Sequence, residues 1–437
     1  MKPNTYHLVS LGCAKNTVDS TTMGNILSRN GYRFESDPRK AEVLIVNTCG
    51  FIRPAREEAI ETINELARSK SKKQYLIAAG CMAEKYADEI KAHCKKIDAF
   101  VGTRKIQQIG NVIEGLKSGT PGRTPSQELD MDRMSQFALQ GASAYLKIAD
   151  GCGRRCAFCA IPNIKGEWHS RPAEEIVRDA ALLDSEGVKE LILIAQDTTA
   201  YGIDRGEKDA LPGLLEAVDK AAPHVSWIRI LYAFPGFVSD RLIDLMAADN
   251  RIVPYLDIPL QHADPAVLKR MRRPDDMDSV RAVLDRMRNR MPDMAIRSTF
   301  ITGFPGETEE EFKILYQFIE SMEFDRVGVF PYYPEAGTPS AELEDDVPDE
   351  VKQERQEELY ILQQEISHDI NLRYVGKTMD VLIEGVQDDG ILIGRTYRDA
   401  PEIDGLVFVT GQAEIGSMPK VRITGTVGDY DLMGTVL

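Results

Sequence analysis

The chain has 437 residues, too many for one ordinary domain, and its 43% hydrophobic and 28% charged content suits folded globular units. No apolar run approaches the roughly 18 residues of a membrane span, and the start "MKPNTYHLVSLGC" lacks a signal-peptide pattern, so a cytoplasmic protein without a membrane partner is expected. Seven cysteines exclude a disulfide framework, and 53 basic against 69 acidic residues (net charge −16) argue against a nucleic-acid surface while leaving room for a basic partner.

Residues 1–120 alternate short apolar runs with helical patterns. "YHLVSLGC" (6–13), "VLIVNTC" (43–49), "YLIAAGC" (75–81) and "AFVGT" (99–103) read as buried parallel strands, so an open α/β domain is expected. Pro54 and the acids after it suit the first turn of the helix that follows the second strand. Cys13, Cys49 and Cys81 each fall at the carboxyl end of a strand, the edge at which open α/β sheets bind ligands. Three buried structural cysteines would be the plain alternative, but three on successive βα units favour a shared site. Cys94, in "AHCKK", lies off this pattern and reads as a non-ligand.

Residues 121–140 carry Gly, Pro and Ser without period and read as a linker. From 141 to 370 the βα alternation resumes. Strands are expected at 144–150, 190–198, 227–232, 255–261, 295–304 and 326–333, which implies a parallel sheet curled as a partial (β/α)6 barrel. A helix over 348–376 carries an apolar stripe through Leu359, Leu362, Ile366 and Ile370. Residues 371–437 switch to period two, with five short strands between Gly, Asp and Pro turns, the pattern of a small antiparallel β-barrel.

The loop after the first barrel strand reads "DGCGRRCAFCAIPNIKG" and holds Cys152, Cys156 and Cys159 in C-x3-C-x2-C spacing. Three thiols cannot pair off, and a closed zinc site takes four ligands. Zinc completed by His169 is the weaker reading, because a second cysteine triplet is already at hand. An iron–sulfur cluster takes four thiolates when closed, so three leave one iron open to a substrate or cofactor.

C-x3-C-x2-C after the first strand of a six-unit βα barrel resembles the radical S-adenosylmethionine (SAM) enzymes. In that family the open iron binds the amino and carboxylate groups of SAM, which is cleaved to a radical able to break an unactivated C–H bond. The whole chain resembles the methylthiotransferases within it. That likeness implies a 4Fe-4S cluster on Cys152, Cys156 and Cys159 and a second 4Fe-4S cluster on Cys13, Cys49 and Cys81. A second SAM would supply the methyl group. The C-terminal barrel resembles a TRAM domain of OB type. "SLGCAKNTVDS", "NTCGFIRPAREEAIE", "GCGRRCAFCAIPNIKGEWHSRP", "AQDTTAYGID" and "RTYRDAPEIDGLVFV" are closest to the RimO branch, which modifies the β-carbon of an aspartate on a small-subunit ribosomal protein. The tRNA-adenosine (MiaB-type) branch is the alternative. Lys165 stands where arginine is commoner in that branch.

The resemblance also implies an electron donor such as flavodoxin or ferredoxin. It places Gln196 and Asp197 where such enzymes hold the SAM amino group, although the usual "GGE"-like turn is missing. Phe158 is expected to shield the cluster or simply to pack. His262 reads as a substrate contact or a satisfied loop histidine, and "TGFPGET" (302–308) as an N–H cradle or an ordinary turn into a helix. From Arg373 to Leu437 six basic residues face ten acidic ones, which makes tRNA unlikely for the C-terminal barrel and suits a basic ribosomal protein. Asp399, Glu402 and Asp404 are the acids expected to meet it.

Overall fold

The computed structural model describes residues 4–119, 134–274 and 276–437. The N-terminal sheet holds β1 (Thr5–Ser10), β2 (Arg33–Phe34), β3 (Val43–Thr48), β4 (Tyr75–Ala79) and β5 (Ala99–Gly102), all parallel in the order β2-β1-β3-β4-β5. Helices α1 (Ala14–Arg29), α2 (Arg53–Ser69), α3 (Gly80–Lys85), α4 (Ala87–His93) and α5 (Ile109–Ser118) connect and flank it. Two apolar clusters flank the sheet, one containing Val43, Ile45 and Ile77, the other Leu44, Val46 and Leu76, because adjacent strand residues point to opposite faces. Register aligns Ser10 with Asn47, and Asn47 with Ala79. The strands therefore end level, and the cysteines that follow them leave from one edge.

The expected linker lies outside the described residues up to 133. Its last residues, Phe137–Gln140, form strand β6, which pairs antiparallel with β7 (Ser143–Lys147) at the edge of the second sheet. A two-residue ladder of β8 (Ala149–Asp150) and β9 (His169–Ser170) brackets the cysteine loop, with the short helix α6 (Ile161–Lys165) inside it. Then come β10 (Glu190–Ile194), β11 (Trp227–Ile230), β12 (Ile252–Asp257), β13 (Ala295–Thr302) and β14 (Arg326–Pro331). With β7 they make six parallel strands in sequential order, a partial (β/α)6 barrel. Between them run α7 (Ala173–Ser185), α8 (Leu211–Ala221), α9 (Asp240–Ala248), α10 (Pro265–Arg270), α11 (Met277–Arg290) and α12 (Glu309–Met322).

β12 starts three residues before the expected position. The extension takes in Pro254, which offers no N–H to the ladder, and the β11–β12 register slips between Ile228 and Ile230 opposite it. The sheet absorbs the proline as an irregularity instead of ending at it.

Helix α13 (Asp349–Leu372) leaves the barrel, and its stripe joins two cores. Leu359 and Leu362 pack with the barrel helices, Ile370 packs in the C-terminal domain, and Ile366 touches both. The C-terminal domain contains β15 (Thr378–Asp380), β16 (Leu382–Val386), β17 (Leu392–Arg395), β18 (Val407–Thr410), β19 (Lys420–Val427) and β20 (Asp431–Val436). The first expected strand divides at Val381: β15 pairs with β19 and β16 with β17, so one stretch of chain joins both ends of the sheet and curls it into a barrel. Its pairings are antiparallel except for β18 with β20, which run parallel. No described helix is long and apolar enough to cross a membrane.

The C-terminal domain closes the amino end of the partial barrel. Arg395 reaches Glu190 (2.7 Å) and Ser143 (3.2 Å), the first residues of β10 and β7. Arg326, first in β14, binds Asp399 at 2.7 Å. Asp404 accepts from Tyr255 (2.7 Å) and from Arg297 (3.2 Å) inside the barrel. The expectation that Asp399 and Asp404 meet a substrate therefore needs correction. Both are engaged by barrel residues, and of the three acids only Glu402 faces solvent.

Candidate active site

Two loops and the first turn of α3 converge at the carboxyl edge of the N-terminal sheet. Gly12 has φ +89°, and a Cβ there would stand 2.7 Å from the Cβ of Cys49, so the loop carrying Cys13 must pass that side chain without one of its own. A Cβ on Gly50 would meet the Met82 nitrogen at 2.8 Å, so the Cys49 loop and the first turn of α3, which carries Cys81, touch backbone to backbone. Two asparagines knit the three together. Asn16 Nδ2 donates to the carbonyls of Leu11 (2.8 Å) and Thr48 (3.2 Å), and its Oδ1 accepts from the Cys81 thiol at 3.6 Å. Asn47 Nδ2 donates to Asn16 O and Ser20 Oγ, both at 2.8 Å. Cys13 caps α1 and is exposed, whereas Cys49 and Cys81 are buried.

The second triplet lies in a loop pinned on both sides. Cys152 N–H donates to Gly166 O (2.9 Å), Ala157 N–H to Met271 O (2.8 Å), and Ala157 O accepts from Ser340 N–H (2.9 Å). All three cysteines of this loop are partly exposed. Arg273 Nη1 lies 3.9 Å from Cys156 Sγ, a cationic neighbour suited to a thiolate. Phe158 packs beside Ala157 against Val267, Met271, Phe304 and Tyr332, which anchors the loop.

The N-terminal site packs against the second cysteine loop. Cys81 packs in one apolar cluster with Ala160 and Ile164, and Ala160 directly follows Cys159. Beneath that contact lies a buried ionic lattice: Asp19 of α1 accepts from Lys147 and Lys165, both at 2.8 Å, and Asp150 accepts from the same two ammoniums at 3.2 Å. Burial works against the Lys165 ammonium, but Asp150 and Asp19 raise it well above its ordinary pKa. This lattice docks the N-terminal domain on the barrel, and Lys165 fills its role in that docking.

Burial pushes the thiols of Cys49 and Cys152 up to about 11, and those of Cys81 and Cys159 up to about 12. Loading them with metal must expel protons. Among the described residues no three His, Cys, Asp or Glu side chains converge as a single ion requires. A four-iron cluster makes a different demand, since each thiolate binds its own iron and the sulfurs stand apart. His169 is exposed, paired across from Asp150 in the β8–β9 ladder.

Gln196 and Asp197 follow β10 at this same edge. Gln196 donates through Nε2 to Asp150 at 3.0 Å, and its buried Oε1 has no partner. Asp197 is buried and held: it accepts from Arg154 Nε (2.7 Å), Thr199 Oγ1 (2.6 Å) and Ala200 N–H (3.1 Å). Arg154, between two cysteines of the motif, lies with its guanidinium carbon 3.4 Å from the Phe234 ring centroid, and its buried Nη2 is also unpartnered. An orphaned acceptor and an orphaned donor beside three thiols fit the ammonium and carboxylate ends of an amino-acid cofactor. SAM bound there would supply the radical chemistry.

His262 is fully buried. Its Nδ1 accepts from Asp264 N–H at 3.0 Å, and its Nε2 lies 3.3 Å from Glu307 Oε2 with no hydrogen bond between them, so the imidazole is held on one side only. "TGFPGET" is an ordinary helix entry: Thr308 and Glu311 form a capping box, and Gly303 N–H is already bound to Glu307. Cys94 sits among Leu44, Leu66 and Ile90 in the sheet's outer core. Arg154 inside the motif and Asn16 and Lys15 beside Cys13 join the site as well, each signalled in the sequence only by its place next to a cysteine. Nothing in the sequence signalled Tyr232, whose position depends on how the barrel closes.

Comparison with known proteins matches this architecture in three segments. Residues 5–102 match the family described as Uncharacterized protein family UPF0004, residues 146–319 the Radical SAM superfamily, and residues 375–437 the TRAM domain. The fold also resembles that of the radical SAM methyltransferase TsrM from Kitasatospora setae, with a TM-score of 0.57, 13% identity, and 86% of this chain and 80% of that one covered. Fold and site together define a radical SAM enzyme, with SAM and an iron–sulfur cluster as its cofactors. Ribosomal protein uS12 methylthiotransferase RimO from Herpetosiphon aurantiacus is 44% identical over 99% of this chain and 100% of its own. The RimO of Chloroflexus aurantiacus is 46% identical, with 99% of each chain covered. The chain belongs to the RimO family of radical SAM methylthiotransferases.

Proposed function

We propose that this enzyme adds a methylthio group to the β-carbon of an aspartate on ribosomal protein uS12, using two SAM molecules and two 4Fe-4S clusters. The observation that supports the reading is the contact of Cys81 with Ala160, which sets the N-terminal cysteines against the loop of the C-x3-C-x2-C motif. Cys152, Cys156 and Cys159 would hold the cluster at which SAM is reduced, and Cys13, Cys49 and Cys81 the cluster associated with the inserted sulfur. Gln196 and Arg154 supply the unpaired acceptor and donor for the amino-acid end of SAM. Asp197 positions Arg154 through the 2.7 Å ion pair. The names of the relatives and the acidic balance of the C-terminal domain support a basic protein substrate, and an electron donor such as flavodoxin or ferredoxin would complete the reaction.

The test is direct. Ribosomal protein and tRNA from a deletion strain, with and without the restored gene, are compared by mass spectrometry. Restoration should add a methylthio group to uS12 and leave tRNA nucleosides unchanged. A methylthio group restored on tRNA adenosine instead would move the enzyme to the other branch.

A further inference from the structure

Lys15 is the second residue of α1, two positions after Cys13, yet its side chain leaves the N-terminal domain for the mouth of the barrel. Its Nζ lies 3.3 Å from the centroid of the Tyr232 ring, just past the end of β11. It also lies 3.5 Å from the carbonyl of Ala195, just past the end of β10 and next to Gln196. The ring face and one long hydrogen bond serve an ammonium that has three donors. Among the described residues no carboxylate stands within 4.0 Å of it.

Cys13, two residues before Lys15, is the group that acts on it most strongly from further away, and the carboxylates that do so are already committed. Asp150 is bound by Lys147 and Lys165, and Asp257 by Arg297 (3.4 Å) and the Tyr232 N–H (3.2 Å). The Tyr232 platform is itself held in an unusual backbone conformation, φ +63° at a non-glycine residue, by Asp257 on its N–H and by Thr198 on its carbonyl. Strain of that kind persists where surrounding structure over-determines it, and it gathers at ligand sites. The Lys15 side chain is half-buried, so an anion entering the mouth can reach the donors that the ring and the Ala195 carbonyl leave over.

We propose that Lys15 receives the side-chain carboxylate of the acceptor aspartate, and this rests on the substrate reading above. In aspartate the carboxylate is bonded directly to the β-carbon. Anchoring the carboxylate on Lys15 therefore fixes the reacting carbon one bond away, in the mouth between Cys13 on one side and Gln196 on the other. The same ammonium would reject a substrate that offers no anion at this position, so Lys15 is a specificity-determining residue. The carboxylate of SAM is the other source of the same chemistry, and the experiment separates the two.

Reconstituted wild-type, Lys15→Met and Lys15→Arg enzymes are titrated anaerobically with labelled peptides spanning the acceptor loop of uS12, carrying either Asp or Asn at the acceptor. Anisotropy reads peptide affinity, and SAM affinity is measured on the same samples. Wild type should prefer the Asp peptide by about tenfold or more, the usual weight of a charged hydrogen bond. Lys15→Met should bind both peptides equally at the weaker level, and Lys15→Arg should recover most of the preference. Lys15→Gln, which keeps a donor without the charge, replaces Lys15→Met if that variant loads iron poorly. An Asp preference that survives in the uncharged variants overturns the proposal, as does an equal loss for both peptides. A fall in SAM affinity with the peptide preference intact would assign Lys15 to SAM and equally overturn it. If wild type neither binds nor modifies uS12, the substrate reading itself has failed; if wild type modifies uS12 and only the Lys15 arms disagree, the failure is confined to Lys15.

Discussion

The two ends of the partial barrel use charge in opposite ways. At the amino end each buried carboxylate has a guanidinium: Glu190 lies between Arg229 and Arg395, Asp399 meets Arg326, and Asp325 meets Arg398. At the carboxyl end Gln196 Oε1 is buried without a partner. The guanidinium nitrogens left over, Arg154 Nη2 here and Arg229 Nη2, Arg326 Nε and Arg398 Nε at the amino end, belong to side chains already ion-paired through another atom. Unsatisfied buried groups cost stability, and a fold tolerates them where a ligand will complete them. The paired end holds the C-terminal domain in place. The unpaired end is where chemistry is expected.

The largest effects should come from emptying the unpaired end of its thiols. Two clusters would give about eight irons per chain, at four per cluster. Replacing Cys152, Cys156 and Cys159 with Ala should leave about four and abolish SAM cleavage. Replacing Cys13, Cys49 and Cys81 should also leave about four, but should abolish sulfur insertion while reductive SAM cleavage persists. Iron assay and 5′-deoxyadenosine release check both. Iron that stays near eight in either triple variant would mean the ligands are misassigned, and Cys94→Ser, in the packed outer core, should lose none.

At the paired end the effect should be on stability and not on chemistry. Arg395→Met leaves Glu190 with Arg229 alone and strips Glu384 of its partner. Removing one member of a buried pair costs about 3–5 kcal/mol, which urea unfolding followed by fluorescence would read. The same site should make the domain contact acid-sensitive. Burial raises the Glu190 carboxyl, but Arg395 and Arg229 outweigh it and hold it down at about 2. A free glutamate titrates at about 4.3. Its contribution is therefore complete above that value and is lost as pH falls toward 2. Glu190→Gln should flatten this limb of the stability profile, and an unchanged slope would show that other carboxylates set it.

Local signals were legible in the sequence and assembled ones were not. C-x3-C-x2-C is written within eight residues, and Cys13, Cys49 and Cys81 could be grouped because parallel strands of similar length end at one edge. Period and turn chemistry likewise gave three sheets their places. The early start of β12 was not legible, because the sheet irregularity that accommodates Pro254 forms only when β11 and β12 pair. Asp399 and Asp404 misled, since a charge count cannot tell an acid that faces water from one that reaches into a neighbouring domain. Lys15 lay next to a noticed cysteine, but its target, the Tyr232 ring, is 217 residues away and comes near only when the domains dock.

The smallest expected effect follows from that correction and concerns substrate encounter. Asp399→Lys or Asp404→Lys would bury a second cation beside Arg326 or Arg297 and undo the paired end, so neither variant reports on the substrate. The acids free to steer a basic partner are those in solvent without a guanidinium: Asp388, Asp389, Glu402 and Glu414. Three of them flank exposed apolar side chains, Asp388 and Asp389 near Val386 and Glu414 beside Ile415, and the Gly416 N–H bond to Ile383 O (2.7 Å) brings these segments together. Apolar surface rimmed by negative charge suits a basic protein. Charges at such a rim act mainly on the rate of encounter and are screened beyond about 8 Å at physiological salt. Reversal of Asp388, Asp389 and Glu414 to Lys should slow association of uS12 several-fold at low ionic strength, with the difference from wild type vanishing as salt rises. The folded stability and the iron content should stay as they were, because none of the three touches the barrel. Stopped-flow association over a salt series reads the slope. A reversal that leaves the low-salt rate untouched would place the docking surface elsewhere on the molecule and leave the acidic balance of this domain without a role in recognition.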